Sequence, residues 1–205
     1  MYRYLSNHTS LLYTYIPDRY TEGYGISFQG IDYAASKGCS LIIALDCGIK
    51  AIDKVQYATD KNIDFIIGDH HRPDAQVPDA VAVLNPQQAD CPYPYKELCG
   101  CGIGFKLVQA YQQHLSRPFE EIRPLLDLVA IATAADIVAM NGENRTLTYF
   151  GLEVINRQPS AGVSALLGEN QKRVGIGDVV FKAAPRINAA GRIEHGKYEI
   201  GRAHV

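Results

Sequence analysis

The stretch "IDFIIGDHH", residues 63–71, is an apolar run that ends in an acid followed by two histidines. A similar run, "SLIIALDCG" at residues 40–48, comes before it and ends in Asp46, a cysteine and a glycine. Continuous apolar runs of this length are typical of strands that are covered on both faces of a parallel sheet. Between them, "IKAIDKVQYATDKN" has apolar residues at helical spacing, so the sequence predicts a β-α-β unit.

The same alternation extends to either side of this unit. "SFQGIDYAASKG" predicts a short helix with Ser27 as its N-cap and Gly38 as its end. "AVAVLNP", residues 80–86, predicts a third strand, and "SLLYTYIPDR", residues 10–19, predicts another strand before them. This order of elements indicates an α/β fold built on a parallel sheet.

The chain changes character after residue 86. A Pro-rich loop, "CPYPY", leads to "GIGFKLVQAYQQHL", whose pattern predicts an amphipathic helix. From 124 to 184 nearly every segment predicts helix, with breaks at "MNGEN", "RQPSAG" and "VGIG". We therefore expect the α/β core to be followed by a mostly helical segment.

Composition limits the class of protein. The 205 residues are 47% hydrophobic, which is enough for one sizeable core with an appendage. The five cysteines form no C-x-x-C pair, which argues against a disulfide framework or a structural zinc site and favours a reducing, cytoplasmic location. The most apolar window, "LLDLVAIATAADIVAM", contains two aspartates, so we expect no contact with a membrane.

Charge is distributed unevenly along the chain. The formal net charge is -2, which gives no overall attraction to nucleic acid. Residues 170–205 nevertheless contain seven Lys or Arg against three acids. Such a basic segment beside an acidic body suits a phosphate-binding surface next to a carboxylate metal site, but charge alone favours an ordinary solvated surface.

The polar residues that end the two apolar runs predict a metal site. Ligands bind outside the carboxyl ends of parallel strands, so Asp46 should lie near Asp69, His70 and His71. Carboxylate and imidazole ligands favour Mn²⁺, Mg²⁺, Fe²⁺ or Zn²⁺ over Ca²⁺. Neighbours on an extended segment alternate sides, so we expect one histidine to face the metal and the other to face elsewhere, such as the substrate. For any single residue the alternative is a capped turn or a satisfied core group.

A further acid is expected from the helical segment. Asp127 and Asp136 are nine residues apart, about 900° of rotation at ~100° per residue, so they face opposite sides of a continuous helix. At most one of them joins the site. Asp136 is the better candidate, because the small residues at 133–135 allow a close approach.

Two glycine- or arginine-containing stretches could bind anions. "CGCGIGFK", residues 99–106, is either a helix entry whose free amides hold an anion or a tightly packed helix start. "PRINAAGR", residues 185–192, predicts a short loop that carries Arg186, Asn188 and Arg192. Arginine forks suit phosphate, and the alternative is a plain surface loop.

Taken together, these motifs resemble a known family. "GDHH" with an upstream "LDCG" resembles the DHH phosphoesterases, which have a Rossmann-like three-layer core. "YIPDRYTEGYG", "NPQQADCPYPYKELCGCGIGFK", "DLVAIATAADIV", "GENR" and "APRINAAGR" are similar to the bacterial branch that degrades single-stranded DNA, and the likeness covers roughly residues 1–199.

The resemblance implies a role for each candidate residue. It implies that Asp46, His70 and Asp136 ligate metal, that Asp69 supports the site and that His71 meets the scissile phosphate. It also implies that the substrate phosphate or DNA is contacted by Arg19, Arg186, Asn188 and Arg192.

The implied activity is a 5′-to-3′ exonuclease of DNA repair and recombination. It hydrolyses phosphodiester bonds in single-stranded DNA with two Mn²⁺ or Mg²⁺ ions, and any repair-protein partners cannot be read from the sequence. The alternatives are a DHH phosphodiesterase of short oligonucleotides or cyclic dinucleotides, and a non-catalytic nucleic-acid-binding module.

The resemblance also implies a domain organisation. Residues 1–140 correspond to a DHH core without its first strand and without the Asp-x-Asp-Gly turn that supplies metal ligands. Residues 141–199 correspond to a helical segment that leads toward a further domain. The last residues, "IGRAHV" at 200–205, match one reading frame of a sequencing adapter, so we expect them to be non-native. Because the turn that supplies metal ligands is missing, we expect this chain, as a fragment, to be inactive.

Overall fold

The computed structural model of the chain describes residues 1–168 and 173–193, with only the backbone described for the last four of these. They form two compact units, Met1–Lys96 and the described residues from Glu97 onward. The expected tail at 200–205 lies outside the described residues, and a domain boundary at 140 stays a prediction.

The first unit is built on a parallel three-stranded sheet. The strands are β1 (Leu41–Leu45), β2 (Asp64–Gly68) and β3 (Ala82–Leu84), in the order β1-β2-β3. The helices of this unit are α1 (Tyr2–Leu5), α2 (Phe28–Ser36) and α3 (Ile52–Thr59). The predicted parallel α/β fold is therefore confirmed.

Alternate residues of the strands bury their side chains against the helices. Phe65 and Ile67 of β2 are almost fully enclosed and pack in one cluster with Ile31 of α2 and Val55 of α3. Each such side chain contributes roughly 1.5–3 kcal/mol when it is removed from water. This core holds β1 and β2 rigidly, and with them the loops that follow the strands.

The predicted ends of α2 are also confirmed. The Ser27 hydroxyl accepts a hydrogen bond from the Gly30 amide at 3.0 Å, which satisfies one of the free donors at the helix start. Gly38, with φ of 68°, takes the left-handed conformation that turns the chain back toward β1.

The strand predicted for residues 10–19 is wrong, because none of these residues is in a strand. The segment is apolar and β-prone, but Leu11, Tyr13 and Tyr15 are exposed. A β-prone sequence becomes a strand only when its backbone pairs with a neighbour and its side chains pack, so propensity alone misled here.

The described part of the second unit is helical, as predicted. It contains α4 (Gly100–His114), 3₁₀ turns at Phe119–Glu121 and Arg123–Leu125, α5 (Leu126–Ala135), α6 (Gly142–Arg157), α7 (Ala161–Leu167), α8 (Ile176–Asp178), a π-helical turn (Val179–Ala183) and α9 (Ala184–Ile193). Among the described residues, no helix combines the length and the apolar character needed to cross a bilayer.

Close packing organises this unit. A Cβ added at Gly151 of α6 would overlap the Leu126 carbonyl oxygen and lie 2.6 Å from the Cβ of Ala130, so α5 and α6 meet backbone to backbone. The Gly-rich stretch at 99–106 forms the start of α4, where the Cys99 thiol accepts a hydrogen bond from the Gly102 amide at 3.3 Å. A Cβ at Gly102 would lie 3.3 Å from Leu98, which favours the tight-packing interpretation of this stretch.

The loop predicted for "PRINAAGR" is wrong, because these residues lie within α9. Alanine and arginine have high helix propensity, and the segment contains two consecutive alanines. Pro185, which lacks an amide hydrogen, is the second residue of α9, and a proline is tolerated in the first turn of a helix. The absence of apolar periodicity therefore marked an exposed helix and not a loop.

Candidate metal centre

The backbone ladder continues one residue beyond the strands and sets the site. The Asp46 amide donates to the Gly68 carbonyl at 2.8 Å, and the Asp69 amide donates to the Leu84 carbonyl at 3.0 Å. Asp46 then takes a left-handed conformation, with φ of 63°. The loops after β1 and β2 therefore leave the sheet side by side, as expected at the carboxyl edge of a parallel sheet.

Asp69 is the buried support of this edge, with 1% of its surface exposed. One carboxylate oxygen accepts from the amides of His70 and His71 at 2.8 and 3.1 Å, and lies 2.7 Å from Nδ1 of His71. The other oxygen accepts from the Ile49 amide, in the loop after β1, at 3.0 Å. A single carboxylate therefore fixes both loops.

These hydrogen bonds keep Asp69 ionised. Burial acts to raise the pKa of Asp69, but the Ile49 amide and the ring and amide of His71 outweigh it, so the pKa lies below its usual value. Because an ionised carboxylate only accepts, Nδ1 of His71 carries a proton. Nε2 of His71 is then the ring nitrogen that can face a metal or a substrate.

Asp46, His70 and His71 form a ligand cluster. One potential ligand atom from each lies within 4.8 Å of the others. Nε2 of His70 is 3.1 Å from Oδ1 of Asp46. Two neighbouring ligands of an octahedral ion, each at about 2.1 Å, lie roughly 3 Å apart, so this pair has the spacing of ligands that share one ion. The donor set fits the metal that the sequence predicts.

The two histidines lie closer together than the alternation argument allows. Their ring centroids are 4.6 Å apart at 61°. Side chains alternate within a strand, but β2 ends at Gly68, and the turn around the Asp69 carboxylate brings both rings to the same site. The assignment of His70 to metal and His71 to substrate stays a prediction.

Cys47 is beside the cluster, but its thiol is not a thiolate. Burial, reinforced by the charges of Asp69 and Asp46, raises the pKa of Cys47 to about 12. The thiol is therefore protonated at neutral pH, and we do not include Cys47 among the ligands.

Arg19 belongs to the same unit and lies in a loop beside the site. Its guanidinium carbon is 5.6 Å from the ring centroid of Tyr24. Burial and the charges of Asp46 and Asp69 raise the pKa of Tyr24, while Arg19 lowers it. A Cβ at Gly25 would lie 3.7 Å from the Cβ of Cys47, so this loop packs on the turn that carries Asp46. Sequence reasoning did not identify Tyr24, although it lies in the quoted "EGYG" motif.

The remaining predicted site residues belong to the second unit. Asp136 is the exposed C-cap residue of α5. Nδ2 of the Asn188 side chain donates to the Ala135 carbonyl at 3.4 Å, which places α9 beside the end of α5. Arg186 donates to the Leu166 carbonyl near the end of α7. Arg192 is in α9, and its side chain lies outside the described part of the chain.

The first unit is an α/β domain whose parallel sheet carries, at its carboxyl edge, acid and histidine side chains that could hold a metal ion. Residues 1–133 match the model described as "DHH family, N-terminal domain", so the chain belongs to the DHH family.

Its relatives are single-stranded-DNA-specific exonucleases of greater length. The chain is 43% identical over 183 residues to the single-stranded-DNA-specific exonuclease RecJ of Bacillus subtilis, covering 88% of this chain and 22% of that protein. It is 36% identical over 192 residues to RecJ of Escherichia coli, covering 87% of this chain and 33% of that protein. The chain thus spans about a fifth to a third of the length of these relatives.

Solved structures agree with the fold. A crystal structure of exonuclease RecJ bound to manganese superposes with a TM-score of 0.84 at 28% identity, covering 97% of this chain and 50% of that chain. A crystal structure of RecJ in complex with Mn²⁺ from Thermus thermophilus gives a TM-score of 0.83 at 25% identity, covering 100% of this chain and 29% of that chain.

Proposed function

We propose that this chain carries the metal centre of a single-strand-specific DNA exonuclease that acts in the 5′-to-3′ direction in repair and recombination. The observation that carries the proposal is the cluster of Asp46, His70 and His71 around the buried carboxylate of Asp69. It is supported by relatives that are named as single-stranded-DNA-specific exonucleases. A cytoplasmic location and repair-protein partners stay predictions.

We propose that Asp46 and His70 hold a Mn²⁺ or Mg²⁺ ion, and that Asp136 ligates the second ion that the resemblance implies. Manganese is present in the two superposed RecJ structures. When bound, such an ion would supply Lewis-acid chemistry, lowering the pKa of a bound water and offsetting the charge that develops on the phosphate.

The protein groups around the ion have their own tasks. Asp69 accepts a hydrogen bond from Nδ1 of His71, which leaves Nε2 as the ring nitrogen for contact with a phosphate oxygen. Arg19, on the neighbouring loop, offers a planar fork that matches two phosphate oxygens. Arg186, Asn188 and Arg192 of α9 are the proposed contacts to the DNA backbone.

The first test is a Mn²⁺ titration of the chain by electron paramagnetic resonance. We expect at most one weak site, because the resemblance implies that further ligands come from an Asp-x-Asp-Gly turn that this sequence does not contain. His70→Ala should abolish this site. Asp64→Ala, which removes an exposed aspartate at the start of β2, is the matched control and should leave it intact. Two tight sites in this chain, or a site that survives His70→Ala, would contradict the assignment.

The second test concerns the substrate. We expect this chain to show no nuclease activity. A longer protein that contains this chain should degrade 5′-phosphorylated single strands but not duplex DNA. Preferential hydrolysis of cyclic dinucleotides or dinucleotides by that longer protein would replace the exonuclease with another DHH phosphodiesterase. Binding of single strands without any hydrolysis would make it a binding module.

A further inference from the structure

The carboxylate of Glu22 is a hydrogen-bond hub that no role assigned so far explains. One oxygen accepts from the Asp18 amide at 2.9 Å. The other accepts from the Tyr15 hydroxyl at 2.7 Å and from the Ser27 hydroxyl at 2.6 Å. Because Ser27 is the N-cap of α2, Glu22 ties the loop to the start of a packed helix.

Two hydrogen bonds between Asp18 and Glu22 close residues 18–22 into a hydrogen-bonded ring that contains Arg19. The Glu22 amide donates to the Asp18 carbonyl at 2.8 Å, while the Asp18 amide donates back to the Glu22 side chain. Inside the ring, Oδ1 of Asp18 accepts from the amides of Tyr20 and Thr21 at 2.9 and 3.1 Å. Every residue that flanks Arg19 is thus held by a hydrogen bond, although the segment is not a helix or a strand.

The ring holds the loop beside the metal centre. Arg19 stacks near the Tyr24 ring, whose hydroxyl group experiences the charges of Asp46 and Asp69. The loop then passes Gly25, which packs against Cys47 in the turn that carries Asp46. A shift of this loop would move the Arg19 guanidinium relative to the metal ligands.

We infer that Glu22 is a positioning residue that fixes Arg19 beside the metal centre, so that the Arg19 guanidinium is already positioned to bind the phosphate of the single strand. The inference rests on the proposed function, because it takes a nucleic-acid phosphate as the group that Arg19 binds.

A purely electrostatic role of Glu22 predicts the opposite effect on DNA binding, so an experiment can distinguish it from the positioning role. The amide of Asp18 and the hydroxyls of Ser27 and Tyr15 outweigh the effect of burial and hold the pKa of Glu22 below its usual value, so Glu22 is negative at neutral pH. A negative charge near Arg19 repels phosphate. If Glu22 acted only through its charge, removing it would strengthen DNA binding, whereas loss of positioning weakens binding.

The experiment is a double-mutant cycle on the chain, read by fluorescence anisotropy with a short 5′-phosphorylated single strand and Ca²⁺. We expect Glu22→Ala to weaken binding about three- to tenfold, because an unfixed side chain must be immobilised on binding. In an Arg19→Ala background the same substitution should have no further effect. Additive losses, or tighter binding by Glu22→Ala, would overturn the inference.

Two further variants separate positioning from general damage to the fold. Glu22→Gln keeps an acceptor for the Asp18 amide and can donate to the two hydroxyls, so it should retain most of the affinity. Asp32→Ala is the matched control, since Asp32 accepts from the Tyr57 hydroxyl at 2.9 Å and lies outside the loop. It should leave binding unchanged, and an equal loss there would assign the effect of Glu22→Ala to the fold.

Amide hydrogen exchange tests whether Glu22 orders the loop, even if the chain does not bind DNA. Glu22→Ala should speed exchange of the amides at 18–25 and leave those of α3 unchanged, while Glu22→Gln should resemble the wild type. Absence of DNA binding with this exchange pattern counts against the proposed function and supports the positioning role. Unchanged exchange at 18–25 in Glu22→Ala overturns the positioning role, whatever the DNA result.

Discussion

Replacing Asp69 by alanine is the most direct test of how the metal centre is supported. The substitution removes no proposed ligand, but it removes the acceptor for three backbone amides and for Nδ1 of His71. The carboxylate is buried, so water reaches these donors poorly. We therefore expect both the stability of the first unit and its metal affinity to fall.

The expected loss of stability follows from the unsatisfied donors. A buried donor without a partner costs about 1–3 kcal/mol, and removal of one member of a buried charged pair costs about 3–5 kcal/mol. The side chain of His71 is 46% exposed, so part of its loss is recovered by water. We expect about 3–4 kcal/mol for Asp69→Ala. For Asp69→Asn we expect about 1–3 kcal/mol, because its amide would face the Ile49 amide, donor to donor.

The measurement is urea denaturation followed by far-ultraviolet circular dichroism, since the chain has no tryptophan. The exposed Asp64 of β2 provides the control, and Asp64→Ala should change the free energy of unfolding by less than about 0.5 kcal/mol. A loss below about 1 kcal/mol for Asp69→Ala, with Mn²⁺ affinity unchanged, would refute the reasoning.

The same carboxylate predicts a pH dependence. Its pKa in the folded chain is lower than in the unfolded chain, where an aspartate titrates near about 3.9. The stability from Asp69 is therefore fully present above that value and is lost as the pH falls through the lower, folded pKa. Unfolding free energies measured along an acid series should show this loss in the wild type and a smaller one in Asp69→Asn.

Three further predictions concern other parts of the chain. In a longer protein that contains this chain, His70→Ala should lower both the Mn²⁺ affinity and the rate. His71→Ala should keep the Mn²⁺ affinity and lower turnover about 10²–10³-fold. If both variants lose Mn²⁺ affinity equally, both histidines are ligands. Arg186→Ala should reduce the salt dependence of single-strand binding by about one counterion, and an unchanged slope would leave Arg186 with its contact to Leu166 as a structural role. Gly151→Ala should destabilise the second unit by about 1–3 kcal/mol in urea denaturation, because its Cβ overlaps the α5 backbone, and an unchanged midpoint would show that the helices separate at little cost.

The elements with strong local signals could be predicted from sequence. The runs around β1 and β2 are apolar throughout, and Ser27 and Gly38 act through the backbone next to them, so no distant contact was needed. The two errors are segments whose state depends on their neighbours. Residues 10–19 have strand propensity but no strand, and residues 185–192 form a helix that follows a π-helical turn.

Some features of the candidate site could also be predicted from the sequence, and others could not. Parallel strands place their carboxyl ends together, and this alone brought Asp46 to His70. The closeness of His70 to His71 depends on where β2 ends, and the hub at Glu22 depends on three partners spread over residues 15–27. Neither leaves a periodic pattern in the sequence, so neither could be predicted from it.

Because Asp46 adopts its left-handed backbone conformation in the folded turn, the metal site exists only in folded molecules. An L-residue in that region costs roughly 1–2 kcal/mol, and the folded turn after β1 holds Asp46 there. The unfolded chain has no such arrangement, so an ion that binds only the folded form competes with unfolding. Apparent Mn²⁺ affinity should then fall in proportion to the folded fraction, and a metal titration repeated at increasing urea would trace the same curve as the denaturation of the α/β unit.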